Sequence, residues 1–302
     1  MIEIHVPDAL VESQHLYAGE AGRAFVAGLP DLAARTLERW ELTPVGGSMH
    51  GMAALVLPVE RADGSPAVVK FQVLDEETEG EPVALRVWDG DGAVRLLDHD
   101  AATGTMLLER AGDGRELGRS AGTGRDAARK GVVVLAELLA RLTAGPAPAG
   151  MRTLGDIAGQ MLDDTPAALK EIADPGERAL VARCADAVRE VVGEPGDRML
   201  HWDLHFDNVL AAEREPWLAI DPKPLAGDPG FDLWPGLNSL FDPDDVRWRF
   251  DAMTEVLGLE RGRALAWTLG RVLQNVLWEV EDGRELPAED LELARRLLGR
   301  AR

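Results

Sequence analysis

Cysteine is almost absent from this chain of 302 residues, which contains only Cys184. A single cysteine cannot form an internal disulfide, so a disulfide-stabilised fold is excluded. The thiol lies in the amphipathic segment 179–188, where we expect it to be packed in a core rather than to act as a nucleophile.

Long apolar runs are also missing. No stretch approaches the roughly 20 apolar residues that a membrane-spanning helix needs. The first residues, MIEIHVPDAL, lack the basic region and following apolar run of a signal peptide. These absences predict a cytoplasmic protein that does not interact with membranes.

Positive charge is scarce, with 32 Lys and Arg against 53 Asp and Glu, for a formal net charge of −21. Nucleic acids carry a dense negative charge, so we expect no binding to them. An acidic surface suits a cationic small molecule, or serves only solubility. The charge is therefore compatible with a small cationic substrate but does not by itself indicate one. We also expect the protein to be a monomer.

The spacing of apolar residues divides the chain into a β-rich part and a helical part. A predicted helix at 31–40 comes first, and another at 76–88 lies between strands. Short apolar runs separated by Gly- and Asp-containing turns predict strands at 52–59, 67–74, 93–98 and 106–109. After residue 114, helical spacing predominates, with helices predicted at 126–142, 153–170 and 176–192 and β-like runs at 199–201 and 217–220.

This order is typical of the protein-kinase-like fold. We predict an α+β protein with two lobes, a β-rich N-lobe and a mostly helical C-lobe. The N-lobe would span residues 1–108 and bind the nucleotide, a hinge would span 109–114, and the C-lobe would span 115–302.

The strongest motif is His201-Trp-Asp-Leu-His-Phe-Asp-Asn208. It matches the spacing of the kinase catalytic loop. In that pattern a carboxylate accepts the proton of the attacking hydroxyl and an amide holds a metal ion. Asp203 is therefore the candidate catalytic base and Asn208 a candidate metal ligand, while His201 is expected to brace the backbone.

A second motif, Ile220-Asp-Pro-Lys223, follows the apolar run at 217–220. A carboxylate at the end of a strand shortly after the catalytic loop fits the main magnesium ligand, since Mg²⁺ prefers hard oxygen donors beside substrate phosphates. Asp221 takes that role. Asp232, further along, is expected to accept amide hydrogen bonds from the catalytic loop.

The N-lobe contains a lysine in a strand-like segment, Ala67-Val-Val-Lys-Phe71. Such a lysine matches the residue that binds the α- and β-phosphates in kinases. Lys70 is this candidate, and Glu81 is its expected ion-pair partner. Glu77 and Glu79 remain alternatives to Glu81, because the phase of the helix is open.

Two further segments are candidates for nucleotide binding. The loop at Gly46, Gly47 and Ser48 can bring backbone amides close to phosphate oxygens. In protein-kinase-like folds the segment between the lobes presents main-chain groups to adenine, which indicates Glu109, Arg110 and Ala111.

These motifs together resemble the aminoglycoside phosphotransferases. The pattern HxDLHxxN at 201–208 is similar to these enzymes and to choline and homoserine kinases. The segments ALRVWDGDGAVRLL, MLLER and WLAIDPKPLAGDPGFDLWP resemble the streptomycin 6-phosphotransferase type. The resemblance implies ATP and Mg²⁺ as cofactors and phosphorylation of a hydroxyl on a cationic aminocyclitol, with streptomycin the best guess and Asp228, Glu279 and Asp282 as candidate substrate carboxylates.

Other readings of the same residues remain open. A metabolic kinase for choline, a sugar or another alcohol would carry the same motifs. A pseudokinase is disfavoured because Lys70, Asp203, Asn208 and Asp221 are all present. An alternative that we disfavour assigns His201, Asp203, His205 and Asp207 to the metal cluster of a hydrolase.

Two groups of residues have a structural interpretation. The acidic clusters 242–245 and 279–282 are ordinary solvated surface or part of a pocket for a cationic substrate. Trp248, Trp267 and Trp278 have helical contexts and are expected to be core residues.

Overall fold

The computed structural model describes residues 4–112, 115–120 and 124–299. The chain divides into two compact units, Met1–Gly112 and Asp113–Arg302. The division falls within the segment predicted to be a hinge. Asp113 and Gly114 of that segment lie outside the described residues, and its function stays a prediction.

The first unit combines helices with an antiparallel sheet. The strand order is β1-β3-β4-β6-β5, and β2 also pairs with β3. The helices are α1 (Asp8–Tyr17), α2 (Gly19–Arg39) and α3 (Glu81–Trp88). The strands are β1 (Thr43–Pro44), β2 (Met49–His50), β3 (Ala54–Glu60), β4 (Pro66–Gln72), β5 (Leu96–Asp100) and β6 (Thr105–Glu109).

Alternation of apolar side chains explains the core of this unit. Leu55, Leu57 and Val59 of β3 are buried together with residues of β4 and α2, as expected when every second side chain of a strand points to one face. Helix α2 begins at Gly19, well before the predicted start at residue 31, because Pro30 lies inside the helix instead of ending it.

The second unit is mainly helical. Its helices are α4 (Leu117–Ser120), α5 (Arg125–Leu142), α6 (Leu154–Glu171), α7 (Pro175–Val191), α8 (Trp234–Asn238), α9 (Val246–Leu257), α10 (Arg261–Glu281) and α11 (Ala288–Leu298). Two antiparallel pairs, β7 with β10 and β8 with β9, lie between α7 and α8. The strands are β7 (Arg198–Leu200), β8 (Val209–Ala211), β9 (Trp217–Ala219) and β10 (Leu225–Gly227).

The α+β class with a β-rich first part and a helical second part is thereby confirmed. Cys184 is buried, and burial raises the pKa of its thiol to about 12, so the packed thiol is confirmed as well. Within the described ranges, no helix is long and apolar enough to cross a membrane.

Two structural expectations need correction. Trp267 is fully buried, but Trp248 and Trp278 are 36% and 38% exposed. The guanidinium group of Arg129 covers the ring of Trp248, since its carbon lies 4.3 Å from the ring centroid. Such half-buried aromatic rings have apolar neighbours on one side and solvent on the other.

The cluster 242–245 is not uniformly solvated surface. Asp245 is fully buried and accepts hydrogen bonds from Arg129 at 2.8 Å and Arg249 at 3.3 Å. Arg129 belongs to α5 and Arg249 to α9. This carboxylate therefore links two helices, because a buried charge is retained only when it is paired.

Candidate active site

The predicted catalytic loop lies between two short strands, each of which pairs with another strand. It follows β7 and ends in a 3₁₀ turn, Phe206–Asn208, that leads into β8. Because β7 pairs with β10 and β8 pairs with β9, the loop is held beside the segment 220–224. The amide of Ile220 donates to the carbonyl of Asn208 at 3.0 Å, and that of Lys223 to the carbonyl of His201 at 3.1 Å.

His201 is buried and bonded on both ring nitrogens. Its Nε2 lies 3.1 Å from the carbonyl oxygen of Ile220, and its Nδ1 accepts from the amide of Asp203 at 3.4 Å. Burial lowers the pKa of this imidazole to about 4, which keeps it neutral. The bracing role is confirmed, and the arrangement leaves neither nitrogen for a hydrolase metal.

Asp232 holds the start of the loop. Its carboxylate accepts from the amides of His201 at 2.8 Å and Trp202 at 2.5 Å, as predicted. Burial raises the pKa of Asp232 to about 7. Trp202 has a φ of 68°, a left-handed conformation that is unfavourable for a bulky residue. The two amide bonds help to maintain it.

A hydrogen bond connects the side chain of Asn208 to the main chain of Asp203. The Nδ2 of Asn208 donates to the carbonyl of Asp203 at 2.8 Å. This bond uses the amide nitrogen, whereas a metal ion binds the amide oxygen. The Asp203 carboxylate is partly exposed and lies 3.4 Å from the Nζ of Lys223, so a cation adjoins the candidate base.

Asp221 follows β9 in a strained backbone conformation. Its φ is 58°, and such outliers cluster at functional sites. No group of three or more His, Cys, Asp and Glu side chains in the described part of the chain is arranged to hold a metal. Magnesium at kinase sites needs only one or two protein oxygens beside the substrate phosphates. The oxygens of Asn208 and Asp221 fit that requirement.

The first unit contains the predicted lysine–glutamate pair. Lys70 and Glu81 are both buried, and the Nζ of Lys70 donates to the two carboxylate oxygens of Glu81 at 2.8 and 2.7 Å. Gln72 donates to the same carboxylate at 2.9 Å. The ion pair with Glu81 is confirmed, whereas binding of phosphate by Lys70 stays a prediction.

The candidate residues for backbone contact with phosphate lie on a loop of the first unit. Gly46, Gly47 and Ser48 connect β1 to β2, and the Ser48 hydroxyl donates to the carbonyl of His5. A Cβ added at Gly47 would meet no atom within 4 Å, and one at Gly46 only Pro58 at 3.7 Å. Packing within this unit therefore does not require glycine there, so phosphate contact remains their predicted role.

Of the residues predicted to contact adenine, Glu109 is the last residue of β6, and Arg110 and Ala111 follow it. The amide of Glu109 donates to the carbonyl of Arg95 at 2.9 Å, and its side chain accepts from the amide of Arg95 at 3.0 Å. Arg110 is exposed and Ala111 is buried. The Glu109 amide is thus used within the sheet, and the adenine role of these residues stays a prediction.

The three candidate substrate carboxylates all bind arginine. Asp228 accepts from the amide of Gly230 at 2.8 Å and from Arg263 at 2.5 Å. Glu279 and Asp282 both pair with Arg284, at 2.5 and 2.6 Å.

These carboxylates do not form one pocket. Arg263 and Glu279 lie 16 positions apart on α10, which corresponds to about 24 Å at 1.5 Å per residue. The structure therefore brings Glu279 and Asp282 together and leaves Asp228 apart.

Known proteins resemble this chain over nearly its whole length. Residues 39–283 match the family model described as aminoglycoside/hydroxyurea antibiotic resistance kinase. The chain belongs to this family. It is 60% identical to a hydroxyurea phosphotransferase of Kitasatospora aureofaciens, covering 99% of this chain and 87% of that protein. It is 56% identical to a streptomycin 6-kinase of Streptomyces glaucescens, covering 93% of this chain and 92% of that protein.

Solved structures of this family's fold agree. The GDP complex of an aminoglycoside 2'-phosphotransferase gives a TM-score of 0.60 at 16% identity, covering 88% of this chain and 97% of that one. A choline/ethanolamine kinase family protein from Mesorhizobium loti gives a TM-score of 0.56 at 18% identity, covering 85% of each chain. The fold is protein-kinase-like, and this member of the resistance kinase family is a phosphotransferase with a hydroxyl acceptor.

Sequence reasoning missed two residues of the catalytic segment's surroundings. Lys223 was seen only as part of the motif Asp-Pro-Lys, although its ammonium group lies beside Asp203. Arg152 lies outside every motif, yet its guanidinium carbon is 4.1 Å from the ring centroid of Trp202. The position of Lys223 two residues after Asp221 could have indicated its role. Nothing in the sequence around Arg152 indicated a role for that residue.

Proposed function

We propose that this kinase transfers the γ-phosphate of ATP to a hydroxyl group of streptomycin and so confers resistance by modification. The observation that carries the proposal is the Asp203 loop, whose backbone is held by Asp232 and His201 in a chain 56% identical to a streptomycin 6-kinase. A cationic acceptor also suits a chain with a net charge of −21.

The residues of the catalytic segment divide the work of phosphoryl transfer. Asp203 accepts the proton of the acceptor hydroxyl as its oxygen bonds to the γ-phosphorus of ATP, and the bond from that phosphorus to the β-phosphate oxygen breaks to release ADP. Asn208 and Asp221 would hold Mg²⁺, which would neutralise charge on the transferring phosphate. Lys223, 3.4 Å from Asp203, adds positive charge beside the base.

The first unit supplies the nucleotide contacts in this proposal. Lys70, oriented by Glu81, binds the α- and β-phosphates. Main-chain amides of Gly46, Gly47 and Ser48 approach the phosphates, and main-chain groups of 109–111 contact adenine. An ATP-dependent kinase works where ATP is available, which supports our prediction of a cytoplasmic location. The monomeric state also remains a prediction.

Replacing Asp221 by asparagine should raise the Mg²⁺ concentration required for half-maximal activity by about tenfold or more. The change exchanges a charged oxygen ligand for a neutral one beside phosphates that need charge neutralisation. Titration of activity against Mg²⁺ measures the effect.

The control is Asp251→Asn, which removes an exposed carboxylate that pairs with Arg261. We expect it to leave the titration unchanged. A wild-type Mg²⁺ dependence in Asp221→Asn would assign the metal to other residues.

Recognition of the acceptor would use Glu279 and Asp282. Each guanidinium group of streptomycin can donate a bidentate hydrogen bond to a carboxylate. In the structure Arg284 occupies this position beside both carboxylates, which shows that they accept a guanidinium group. The substrate would displace Arg284 or bind alongside it.

Hydroxyurea is the second candidate acceptor. A hydroxyurea phosphotransferase is 60% identical to this chain and covers 99% of it. Hydroxyurea is small and uncharged, so its recognition would need neither Glu279 nor Asp282. A choline or sugar kinase finds less support, since those relatives share only the fold.

Competition for labelled phosphate decides between these acceptors. Streptomycin, hydroxyurea, kanamycin, choline and a neutral hexose are offered at equal concentration, with ATP or GTP as donor because a solved relative binds GDP. We expect streptomycin to take most of the label. Its KM should rise with ionic strength, because salt screens charges beyond about 8–10 Å.

The result also separates the alternatives. Labelling mainly of hydroxyurea would replace streptomycin by the second candidate, and the salt dependence of KM should then disappear. If choline or the hexose were labelled first, both proposed acceptors would be wrong, although the family of the chain would stay the same.

A further inference from the structure

Arg152 connects two segments that carry the proposed catalytic residues. It lies just before α6. Its Nη2 donates to the carbonyl of Lys223 at 2.9 Å, and its Nε lies 3.4 Å from the carbonyl of Pro224. Its own carbonyl accepts from the amide of Ala226 at 2.9 Å. Both the side chain and the main chain of Arg152 are therefore hydrogen-bonded to the segment that follows Asp221.

The same guanidinium group contacts the catalytic loop. Its carbon lies 4.1 Å from the ring centroid of Trp202, which is within the range of a cation–π interaction. Trp202 is buried and left-handed, and Arg271 approaches its ring at 4.8 Å. Because Trp202 precedes Asp203, any movement of this ring and its backbone displaces the candidate base.

We propose that Arg152 is a positioning residue that fixes the loop of Asp203 relative to the segment of Asp221. The guanidinium group of Arg152 donates to the main chain of the segment that follows Asp221 and lies against the Trp202 ring of the catalytic loop. A lysine has no planar fork and cannot make both interactions in this geometry. The catalytic consequence rests on the proposed kinase reaction, whereas the structural link does not.

Two variants and one matched control test this link. Arg152→Met removes the donors and the charge but keeps the length of the side chain. Arg152→Lys keeps the charge. Arg178→Met is the control, since Arg178 in α7 also donates through Nε and Nη2 to a main-chain carbonyl, that of Ile172, at 3.0 and 2.7 Å.

Hydrogen–deuterium exchange measures the link in the whole chain without substrate. In Arg152→Met we expect amides within 201–208 and 220–226 to exchange about tenfold faster or more, because local opening sets exchange rates. In Arg178→Met the change should stay near residues 172–178. Wild-type exchange at both segments in Arg152→Met would overturn the proposal. Should that variant not fold, the exchange pattern of Arg152→Lys decides.

Kinetics measure the consequence for the reaction. A displacement of about 1 Å can cost about 100-fold in rate, so kcat of Arg152→Met should fall about 10- to 100-fold while KM for the nucleotide stays within about threefold. Arg152→Lys should recover only part of kcat. Full recovery by lysine, or an equal loss in Arg178→Met, would contradict a positioning role. If the wild-type protein phosphorylates none of the acceptors, the proposed function fails, and exchange alone decides the link.

Discussion

Replacing Asp203 by asparagine or alanine should lower kcat by about 10²- to 10⁴-fold, the usual contribution of a positioned base. Asparagine keeps the shape of the side chain and loses the basic oxygen. It also removes the charge that faces Lys223 at 3.4 Å. The loop itself should persist, because its backbone is held by Asp232 and His201. These hydrogen bonds do not involve the Asp203 carboxylate. Single-turnover phosphorylation and nucleotide binding, measured separately, check the result.

Asp207 offers a control within the same loop. Its carboxylate is largely exposed, so Asp207→Asn should leave kcat within about twofold of wild type, as expected for a surface change that the reaction does not use. Equal losses in both variants would revive the idea of a shared acidic cluster. An Asp203→Asn protein that binds nucleotide and still turns over normally would remove Asp203 from the mechanism.

The catalytic loop was predictable because its parts are contiguous in sequence. The spacing from His201 through Asp203 to Asn208 specifies one short loop, and that loop forms with His201 as its brace. Asp232 was also assigned correctly from a distance of about 30 residues. Its signal was its place in the segment that resembles a known family, so the resemblance supplied what local pattern lacks.

Residues whose partners lie far along the chain could not be read from pattern. Asp245 looks like one of several surface aspartates, and only the arrangement of α5 and α9 buries it between Arg129 and Arg249. Helix α1 was missed because few of its positions are buried, among them Leu10 and Gln14. Arg152 belongs to the same class, since its partners are 50 and 71 positions away.

The buried pair of Lys70 and Glu81 provides a test in which stability and function separate. Lys70→Met leaves the Glu81 carboxylate buried without its cation, while Gln72 still donates to it at 2.9 Å. Removing one partner of a buried ion pair typically costs about 3–5 kcal/mol. We expect a loss of this size in the free energy of unfolding of Lys70→Met and of Glu81→Gln, measured with denaturant.

The double variant Lys70→Met with Glu81→Met should regain most of that stability, because replacing both charges by apolar groups of similar volume is often neutral. It should nevertheless bind ATP weakly and remain inactive, since the lysine is absent. The exposed pair of Arg61 and Asp63 in the turn between β3 and β4 is the control, and its disruption should change stability far less. A double variant that is stable and binds ATP with wild-type affinity would leave the pair a purely structural element of the first unit. A stable double variant without nucleotide affinity would support phosphate binding by Lys70, since the fold would then be intact while the ammonium group and its Glu81 partner are both missing.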